Sequence, residues 1–358
     1  MTARPRIAKG TTPESNDLDK ELHDTPASEI VAKKVQYVWP GRLPAANVCL
    51  FQGEKESGKS TWMRFIAGVI SGGGKLPGDK RSRKPAGGVL WYAGEENLES
   101  RVRPGLEAAG ANLDRCFLAD LHGGDVDGQL ALPNDSERLM KRVKYRKAGL
   151  VVIDPIFSFL DGSCPIESDG VEARRLIREL QAICNSTGCL ILLSRNLTKD
   201  TSRGALAAGR GSGELANACR ATLHCQSIGT TPGLYGLAVA GGNEGLKAAT
   251  LSYRIVDAGG VQIIEPAGLL SLSADELVSG SEGALERSQL DQAKALIQSM
   301  IPVGKLDSKV IRAKAEAAMI HVRTLQIAAK SLGVRITRMG SRDKTITYWS
   351  PPKGGYPT

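Results

Sequence analysis

The sequence predicts an α/β fold with a twisted, mostly parallel sheet, followed by a small C-terminal α+β domain. Short apolar runs, typical of buried strands, alternate with helical periodicity up to Asn185, and mainly strand-like runs follow up to Ile264. The alternation indicates a parallel sheet covered by helices, and the consecutive strands indicate an antiparallel extension. Three helical segments and two strand-like segments between 285 and 353 predict the smaller domain.

Length and composition favour two domains. The chain has 358 residues, of which 41% are hydrophobic and 4% aromatic, and chains of this length commonly form more than one domain. We predict a disordered tail at 1–32, an α/β domain at 33–265, a linker at 266–284 and a C-terminal domain at 285–353. No apolar run is long enough to span a membrane, and the polar N-terminus lacks a signal-peptide stretch. We therefore expect a cytoplasmic protein with no membrane partner.

The periodicity of apolar residues predicts the individual elements. In the first domain we predict strands at 47–51, 88–94, 115–119, 149–154 and 188–194, and helices at 61–70, 99–109, 135–146, 171–185 and 214–221. Further strands are predicted at 234–240, 248–256 and 261–264. The seven cysteines form no C-x-x-C pair and the four histidines are scattered, so no zinc site is indicated.

A phosphate-binding loop lies between the first strand and the first helix. Residues 53–60 match the pattern G-x-x-x-x-G-K-[S/T] at every fixed position. Backbone N–H groups of such a loop surround a phosphate at a helix N-terminus, where the helix dipole favours negative charge. We assign Lys59 to the β- and γ-phosphates and the Ser60 hydroxyl to Mg²⁺. The predicted nucleotide-binding residues are Gly53, Glu54, Lys55, Glu56, Ser57, Gly58, Lys59, Ser60 and Thr61. The alternative is a glycine-rich surface turn.

Two later strands end in carboxylates. The strand at 88–94 delivers Glu95 and Glu96 to the edge of the sheet where parallel α/β proteins bind ligands. There a carboxylate can direct a water molecule at a γ-phosphate, although the same residues also suit the first turn of a helix. The strand at 149–154 ends in Asp154, which is typical of a residue that completes the Mg²⁺ shell of a bound nucleotide.

Two polar stretches follow the next strand. Arg195-Asn196 comes directly after residues 188–194 and places a polar group where it can sense a γ-phosphate. The segment 197–213 is rich in Gly, Ala, Ser and Thr and carries Lys199, Arg203 and Arg210. We expect it to contact a nucleic-acid backbone, with a merely flexible loop as the alternative.

The C-terminal segment is strongly basic. From 303 to 353 it contains eleven Lys or Arg and three Asp or Glu, a net charge of +8 out of +9 for the whole chain. Helices at 285–300, 308–319 and 321–332, followed by a hairpin at 334–339 and 345–349, have the layout of a winged helix-turn-helix. The residues predicted to contact DNA are Arg323 and Lys330 on the third helix and Arg335, Arg338 and Arg342 on the hairpin. A protein-docking module is the alternative.

Several motifs in this order resemble the RecA-like ATPases of the RepA plasmid-helicase type, many of which come from phages and other mobile elements. The resemblance covers about Val35 to Glu265, with weaker similarity from Leu285 to Pro352. The motifs are Trp39-Pro40-Gly41-Arg42, the phosphate loop, Tyr92-Ala93-Gly94-Glu95-Glu96, Val151-Val152-Ile153-Asp154-Pro155 and Arg210-Gly211-Ser212-Gly213.

The resemblance implies a RecA-like fold, ring hexamers with ATP and Mg²⁺ bound between subunits, and single-stranded DNA in the central channel. It implies that Lys59 and Ser60 bind phosphate and Mg²⁺, that Asp154 completes the Mg²⁺ shell and that Glu95 activates water with Glu96 beside it. Arg220 or Arg210 would act as an arginine finger in the neighbouring subunit. The chain differs where relatives often have histidines after residues 190–194, so that the γ-phosphate sensor must be Asn196 or another residue. It also differs near 241–243, where relatives often have a lysine and this chain has none.

The sequence thus supports more than one function. The first hypothesis is an ATPase acting on DNA, a helicase or replication protein of a phage or mobile element. The second is an ATP-gated DNA-binding regulator or loader, in which the C-terminal domain recognises duplex DNA. A P-loop kinase is a third, and the sequence offers no acceptor site or lid to support it.

Overall fold

A nine-stranded mixed sheet forms the centre of the fold. The computed structural model describes residues 25–32, 34–120, 129–161, 164, 169–197, 204–206, 209, 213–229, 232–242, 248–280, 282–302, 304–318, 320–339 and 346–356. Residues 1–35 and 36–358 are separate units. In the first unit, the described residues include a short 3-10 turn at Ala27–Glu29, and most of the predicted tail lies outside the described part.

The second unit contains the following elements. The strands are β1 (Tyr37–Trp39), β2 (Leu43–Pro44), β3 (Val48–Gly53), β4 (Gly88–Ala93), β5 (Cys116–Asp120), β6 (Ala148–Asp154), β7 (Leu190–Asn196), β8 (Ala221–Ser227), β9 (Leu234–Gly242), β10 (Thr250–Asp257), β11 (Gln262–Leu270), β12 (Leu306–Asp307), β13 (Arg335–Met339) and β14 (Ile346–Ser350). The α-helices are α1 (Lys59–Gly72), α2 (Arg103–Ala108), α3 (Ser136–Arg146), α4 (Gly170–Thr187), α5 (Gly213–Ala218), α6 (Ala274–Ser279), α7 (Glu282–Met300), α8 (Ser308–Ala317) and α9 (Val322–Ser331). A π-helical turn occurs at Leu98–Val102, and 3-10 turns occur at Leu113–Arg115 and Ile156–Phe159.

The strand order is β11-β10-β9-β8-β3-β7-β6-β4-β5. The six strands from β8 to β5 are mutually parallel, and β9, β10 and β11 continue the sheet in antiparallel fashion. This confirms the predicted fold class, a mostly parallel sheet extended by antiparallel strands. Because β3, β4, β6 and β7 run in one direction, their carboxyl ends meet at one edge of the sheet.

Helix α1 is buried on nearly all sides, as its apolar sequence predicts. Its side chains Trp62, Met63 and Ile66 pack on one face of the sheet, whereas α3 and α4 cover the other face. A Cβ on Gly68 would lie 2.1 Å from the carbonyl oxygen of Ala109, so this glycine lets α1 approach the chain after α2 closely. The close approach fixes the helix that begins at the phosphate loop.

Two parts of the sheet differ from the sequence predictions. Strand β8 was not predicted, although it pairs directly with β3 in the centre of the sheet. The predicted linker at 266–284 contains the end of β11 and helix α6. Helix α6 is stabilised by a capping box between Ser273 and Glu276 and buries Leu277. The capping box and the burial of Leu277 therefore stabilise a helix in a segment whose composition resembles a linker.

The C-terminal elements agree closely with their predicted positions. Helices α7, α8 and α9 are followed by the antiparallel pair β13 and β14, and the short strand β12 adds to β14. Side chains from all three helices surround the buried Trp349 of β14 in one apolar cluster. The division into separate domains and the winged-helix description remain predictions. In the described part of the chain, no helix is long and apolar enough to cross a membrane.

Replacing Trp349 by alanine should strongly destabilise the C-terminal cluster. Trp349 is 2% exposed, and large-to-alanine changes at such aromatic positions lower the free energy of unfolding by about 3–5 kcal/mol. Chemical denaturation of the full chain measures the change. Ile346→Ala on the same strand is the control, because Ile346 is exposed and its loss should cost less than about 0.5 kcal/mol. Equal effects of the two substitutions would show that the cluster does not stabilise the fold.

Candidate nucleotide-binding site

A cavity of 210 Å³ opens at the carboxyl edge of the parallel strands. The phosphate loop forms one wall, and the ends of β4, β6 and β7 form the others. Ten of its lining residues were predicted for the site: Lys55, Glu56, Gly58, Lys59, Ser60, Thr61, Glu95, Glu96, Asp154 and Asn196. Arg64, Pro155, Ser194 and Gln262 also line the cavity, whereas Gly53, Glu54 and Ser57 of the phosphate loop do not. The structure therefore brings three separate sequence motifs to one place.

The backbone of the phosphate loop has the conformation that its glycines allow. Gly58 caps α1 with φ 83°, in the left-handed region that favours glycine, and Glu56 also has a positive φ of 63°. A Cβ on Gly53 would lie 2.1 Å from the carbonyl oxygen of Cys225 in β8. Only glycine at position 53 allows the loop to leave β3 this close to the neighbouring strand.

Side chains from β8, β10 and the loop itself hold the loop in place. The Glu54 backbone N–H donates to the Cys225 carbonyl at 3.2 Å, and the Glu54 carboxylate accepts from the backbone N–H and hydroxyl of Ser227 at 3.2 and 3.0 Å. The Ser57 hydroxyl donates to the Glu54 carbonyl at 2.8 Å. On the other side, the Tyr253 hydroxyl donates to the Ser57 carbonyl. The loop is thus anchored by β8, the parallel neighbour of β3, and by β10 of the antiparallel extension.

The Lys59 ammonium lies at the cavity and is 8% exposed as a residue. It donates to the carbonyls of Gly53 at 3.1 Å and Glu54 at 2.6 Å. Burial lowers the pKa of Lys59, and the nearby Cys225, Asp154, Glu95 and Glu54 oppose this shift. A desolvated cation with only carbonyl partners gains stability when an anion enters the cavity, which is what phosphate binding requires.

Asp154 has the geometry expected of a Mg²⁺ ligand. It ends β6, is 8% exposed, and its Oδ1 accepts from the Ser194 hydroxyl. Its Oδ2 is buried and has no hydrogen-bond partner among the described residues. A buried carboxylate oxygen without a partner is costly unless a cation is bound, and Mg²⁺ prefers carboxylate and hydroxyl oxygens. Ser60 lines the same cavity, so the residues present fit the metal.

Glu95 and Glu96 have different surroundings, although both line the cavity. The Glu96 carboxylate accepts from the Arg64 guanidinium at 2.7 Å. Burial raises the pKa of Glu96, and the charge of Arg64 opposes the increase. Glu95 is exposed and makes no hydrogen bond or ion pair with the described residues. Of the two carboxylates, Glu95 is therefore available to a substrate, whereas Glu96 is engaged with the protein.

The AAA_25 family model, described as an AAA domain, matches residues 20–202. This range is just over half of the chain and contains every cavity residue except Gln262. The chain belongs to this family. Its α/β core is therefore a P-loop ATPase domain of the AAA_25 family, a coarser statement than the RepA-type resemblance of the sequence. No curated protein matches the chain.

Two solved structures are similar to part of this AAA_25 protein. The structure titled "ATPase Domain of G40P" has 12% sequence identity and a TM-score of 0.44, covering 61% of this chain and 84% of that chain. The KaiC-like protein PH0186 from the archaeon Pyrococcus horikoshii OT3 has 15% identity and a TM-score of 0.40, covering 62% and 91%. Likeness at this level bears on neither activity nor partners.

Four cavity residues were not predicted as site residues, namely Arg64, Pro155, Ser194 and Gln262. Arg64 follows the phosphate loop on α1 and is 5% exposed; its second Nη donates to the Thr61 hydroxyl at 3.2 Å. An arginine inside a mostly buried helix was the signal that a charged partner had to exist. Gln262 reaches the cavity from the start of β11, and no local pattern in the sequence connects it to residues 53–60.

At the end of β7, only one of the two polar residues reaches the cavity. Asn196 lines it, as the sequence predicted. Arg195 is fully buried, and its Nε and one Nη donate to the Gln52 carboxamide oxygen at 2.9 and 2.6 Å. Because Arg195 lies away from the cavity lining, Asn196 is the candidate γ-phosphate sensor on this strand.

The remaining predicted site residues do not join this cavity. Arg220 precedes β8, and its backbone N–H donates to the Val48 carbonyl, at the end of the sheet opposite the phosphate loop. Arg323 and Lys330 lie on α9, and Arg335 and Arg338 lie on β13. The other four predicted residues, Lys199, Arg203, Arg210 and Arg342, lie outside the described residues, as does Asn243.

Tyr253→Phe should weaken the phosphate loop. The substitution removes the donor to the Ser57 carbonyl, and an unpaired buried carbonyl costs about 1–3 kcal/mol. We expect a lower free energy of unfolding and weaker ADP binding, measured by denaturation and calorimetry. The control is Tyr235→Phe: the two rings stack with centroids 5.7 Å apart, but the Tyr235 hydroxyl bonds to none of the described residues. Unchanged ADP affinity in Tyr253→Phe would contradict this role.

Proposed function

We propose that this protein hydrolyses ATP, with DNA as the partner on which it acts. The observation that supports ATP use best is the meeting of Lys59, Ser60, Glu95 and Asp154 at one cavity. Residues of these types are the minimum set for phosphoryl transfer to water: a cation for the phosphates, oxygen ligands for Mg²⁺ and a free carboxylate for the water. The proposal extends the AAA_25 assignment to a reaction.

Five of the cavity residues have roles in the proposed reaction. Lys59 leaves the carbonyls of Gly53 and Glu54 to bind the β- and γ-phosphates, while the loop N–H groups hold the β-phosphate. Mg²⁺, held by Ser60 and Asp154, neutralises phosphate charge when bound. Glu95 orients the attacking water by accepting one of its protons in a hydrogen bond, and Asn196 donates to the γ-phosphate. Arg64 holds Glu96 in an ion pair and out of this step.

The proposal includes assembly into a homo-oligomer, a hexameric ring in the RepA-type resemblance. Arg220 lies at the sheet end opposite its own phosphate loop, so it would serve as an arginine finger only in a neighbouring subunit. Arg210 is the other candidate. An arginine supplied from a neighbouring subunit neutralises charge in the transition state and accelerates hydrolysis by about 10³-fold or more.

DNA is proposed as the partner from the distribution of basic residues. Arg335 and Arg338 lie on β13, where every residue is exposed, and Arg323 and Lys330 are exposed on α9. These four residues suit duplex DNA at a winged-helix domain of residues 285–353. Single-stranded DNA would pass the segment 197–213 in the ring channel. A helicase or replication protein of a phage or mobile element is the function that combines these parts.

A second candidate function is an ATP-gated DNA-binding regulator or loader without unwinding activity. The placement of Arg195 favours it, because this residue replaces a histidine of the RepA-type relatives and pairs with Gln52 instead of reaching the cavity. With Asn196 as the remaining sensor, nucleotide binding would control assembly more than it drives movement.

Glu95→Gln should abolish hydrolysis without abolishing binding. Loss of a carboxylate that orients the water is expected to slow ATP turnover by about 10²–10⁴-fold, whereas Lys59→Ala should prevent nucleotide binding itself. Steady-state phosphate release and calorimetry separate the two effects. The matched control is Glu99→Gln, an exposed carboxylate four residues away in the turn Leu98–Val102, which should retain wild-type turnover.

The same assay distinguishes the candidate functions when single-stranded DNA is added. Stimulation of the wild-type rate supports an ATPase driven by DNA, and a DNA-indifferent rate with salt-sensitive duplex binding supports the regulator or loader. Wild-type turnover in Glu95→Gln would overturn the assignment of the water-directing residue.

A further inference from the structure

A second cleft lies on α3, on the face of the sheet away from α1. Its volume is 630 Å³, and it shares no lining residue with the nucleotide cavity. Besides small and apolar residues such as Leu130, its lining consists of two tyrosines and three basic side chains, Tyr92, Tyr145, Arg138, Lys141 and Arg142. No role has been given to this combination so far.

Among the described residues, the lining of the cleft carries three cations and no carboxylate. Helix α3 carries five Lys or Arg and one acidic residue, Glu137. Arg138 pairs with Asp135 at 3.5 Å and Lys141 with Glu137 at 2.8 Å, but both pairs are solvent-exposed and therefore weak. Arg142 is exposed and makes no ion pair with the described residues. The acidic partners do not neutralise the surface, so an anionic ligand is favoured.

Aromatic rings lie beside these cations. Tyr145 is 72% exposed, and the Arg146 guanidinium lies between its ring and that of Phe117, 5.1 and 4.0 Å from the two centroids. Tyr92 is half-buried, with its ring edge-to-face against Phe159 at 6.1 Å. An exposed ring held by a neighbouring guanidinium is suited to stack against a planar group.

We infer that the α3 cleft binds single-stranded nucleic acid, with phosphates on Arg138, Lys141 and Arg142 and a base stacked on Tyr145. Stacking needs an unpaired base, which excludes an intact duplex. Two further cations, Lys144 and Lys147, lie beyond the cleft towards the C-terminal end of α3. A row of cations longer than the cleft suits a polymeric anion, whereas a single phosphate does not need it. The inference rests on the proposed action on DNA and assigns that action a contact surface outside residues 197–213.

The cleft and the nucleotide cavity share strand β4. Tyr92 lies in the cleft three residues before Glu95, and its neighbour Ala93 pairs with Asp154 across the sheet. The ring of Tyr92 also packs on Phe159, in the turn that follows Asp154. A nucleic-acid strand bound in the cleft would therefore contact the same elements that position Glu95 and Asp154. This contact gives DNA binding a physical connection to ATP turnover.

The test uses the full chain and a fluorescent single-stranded oligothymidylate, with anisotropy measured over a range of salt concentrations. Tyr145→Leu should weaken binding about tenfold or more through the lost stacking, and Tyr145→Trp should retain it. Arg142→Gln should make the dependence of log affinity on log salt less steep by about 0.7, the value for one phosphate contact on a single strand. Lys80→Gln is the charge-matched control, since Lys80 is exposed in a loop far along the chain, and should leave the slope unchanged.

A second readout is the ATPase rate. The Tyr145→Leu and Arg142→Gln variants should need about tenfold more oligonucleotide for half-maximal stimulation, with unchanged basal turnover and unfolding midpoint. If the wild type binds and responds to single strands while both variants behave like it, the inference is wrong and the proposed function stands. If the wild type binds no single-stranded oligonucleotide, the inference and the proposed action on DNA are both wrong. Altered subunit assembly with unchanged strand affinity would instead make the cleft a protein interface and overturn the inference.

Discussion

The close contact between the phosphate loop and β8 is the constraint on which the site depends. Gly53 leaves β3 so near the Cys225 carbonyl that any Cβ would overlap it, and the next N–H donates to that same carbonyl. From the other side, Tyr253 of β10 fixes the Ser57 carbonyl. Through Tyr253, the antiparallel extension of the sheet thus helps to position the nucleotide site. A loop held at both ends presents its N–H groups without further ordering, which preserves affinity for phosphate.

The charged groups of the cavity differ in whether they have a charged partner within the protein. Arg64 and Glu96 satisfy one another within the protein. Among the described residues, by contrast, Lys59 donates hydrogen bonds only to carbonyls, and Asp154 has one buried oxygen without a hydrogen-bond partner. The two incompletely satisfied groups are those that a nucleotide and its metal would complete. Lys59 and Asp154 are therefore the groups suited to bind a ligand, whereas Arg64 and Glu96 stabilise the site through their ion pair.

The features that could be predicted from the sequence are those that depend on local patterns of residues. The strands β3, β4, β6 and β7 were recognisable because each is a mostly apolar run with polar residues at or just after its end, and their parallel pairing follows from the intervening helices. The membership of Glu95, Asp154 and Asn196 in one cavity followed from that arrangement. The phosphate loop needed no structure to be located.

The missed features depend on contacts between distant residues. Strand β8 contains the buried polar side chains of Thr222 and His224, whose hydrogen bonds to Ala216 and Gln226 appear only in the fold, so the segment lacks the apolar run of a central strand. Strand β11 continues through Pro266 because it is at the edge of the sheet, where a missing N–H is tolerated. The partner of Arg64 is 32 residues away, beyond the range of any periodicity.

The central claim is that this cavity binds a nucleotide together with Mg²⁺ held by Asp154. Calorimetric titration of the full chain with ADP, in the presence and absence of Mg²⁺, tests it most directly, with Asp154→Asn as the comparison. The account predicts one ADP per chain, tighter binding with Mg²⁺, and loss of only the Mg²⁺-dependent part in Asp154→Asn. Equal affinity with and without Mg²⁺, or an Asp154→Asn variant that responds to Mg²⁺ like the wild type, would contradict it.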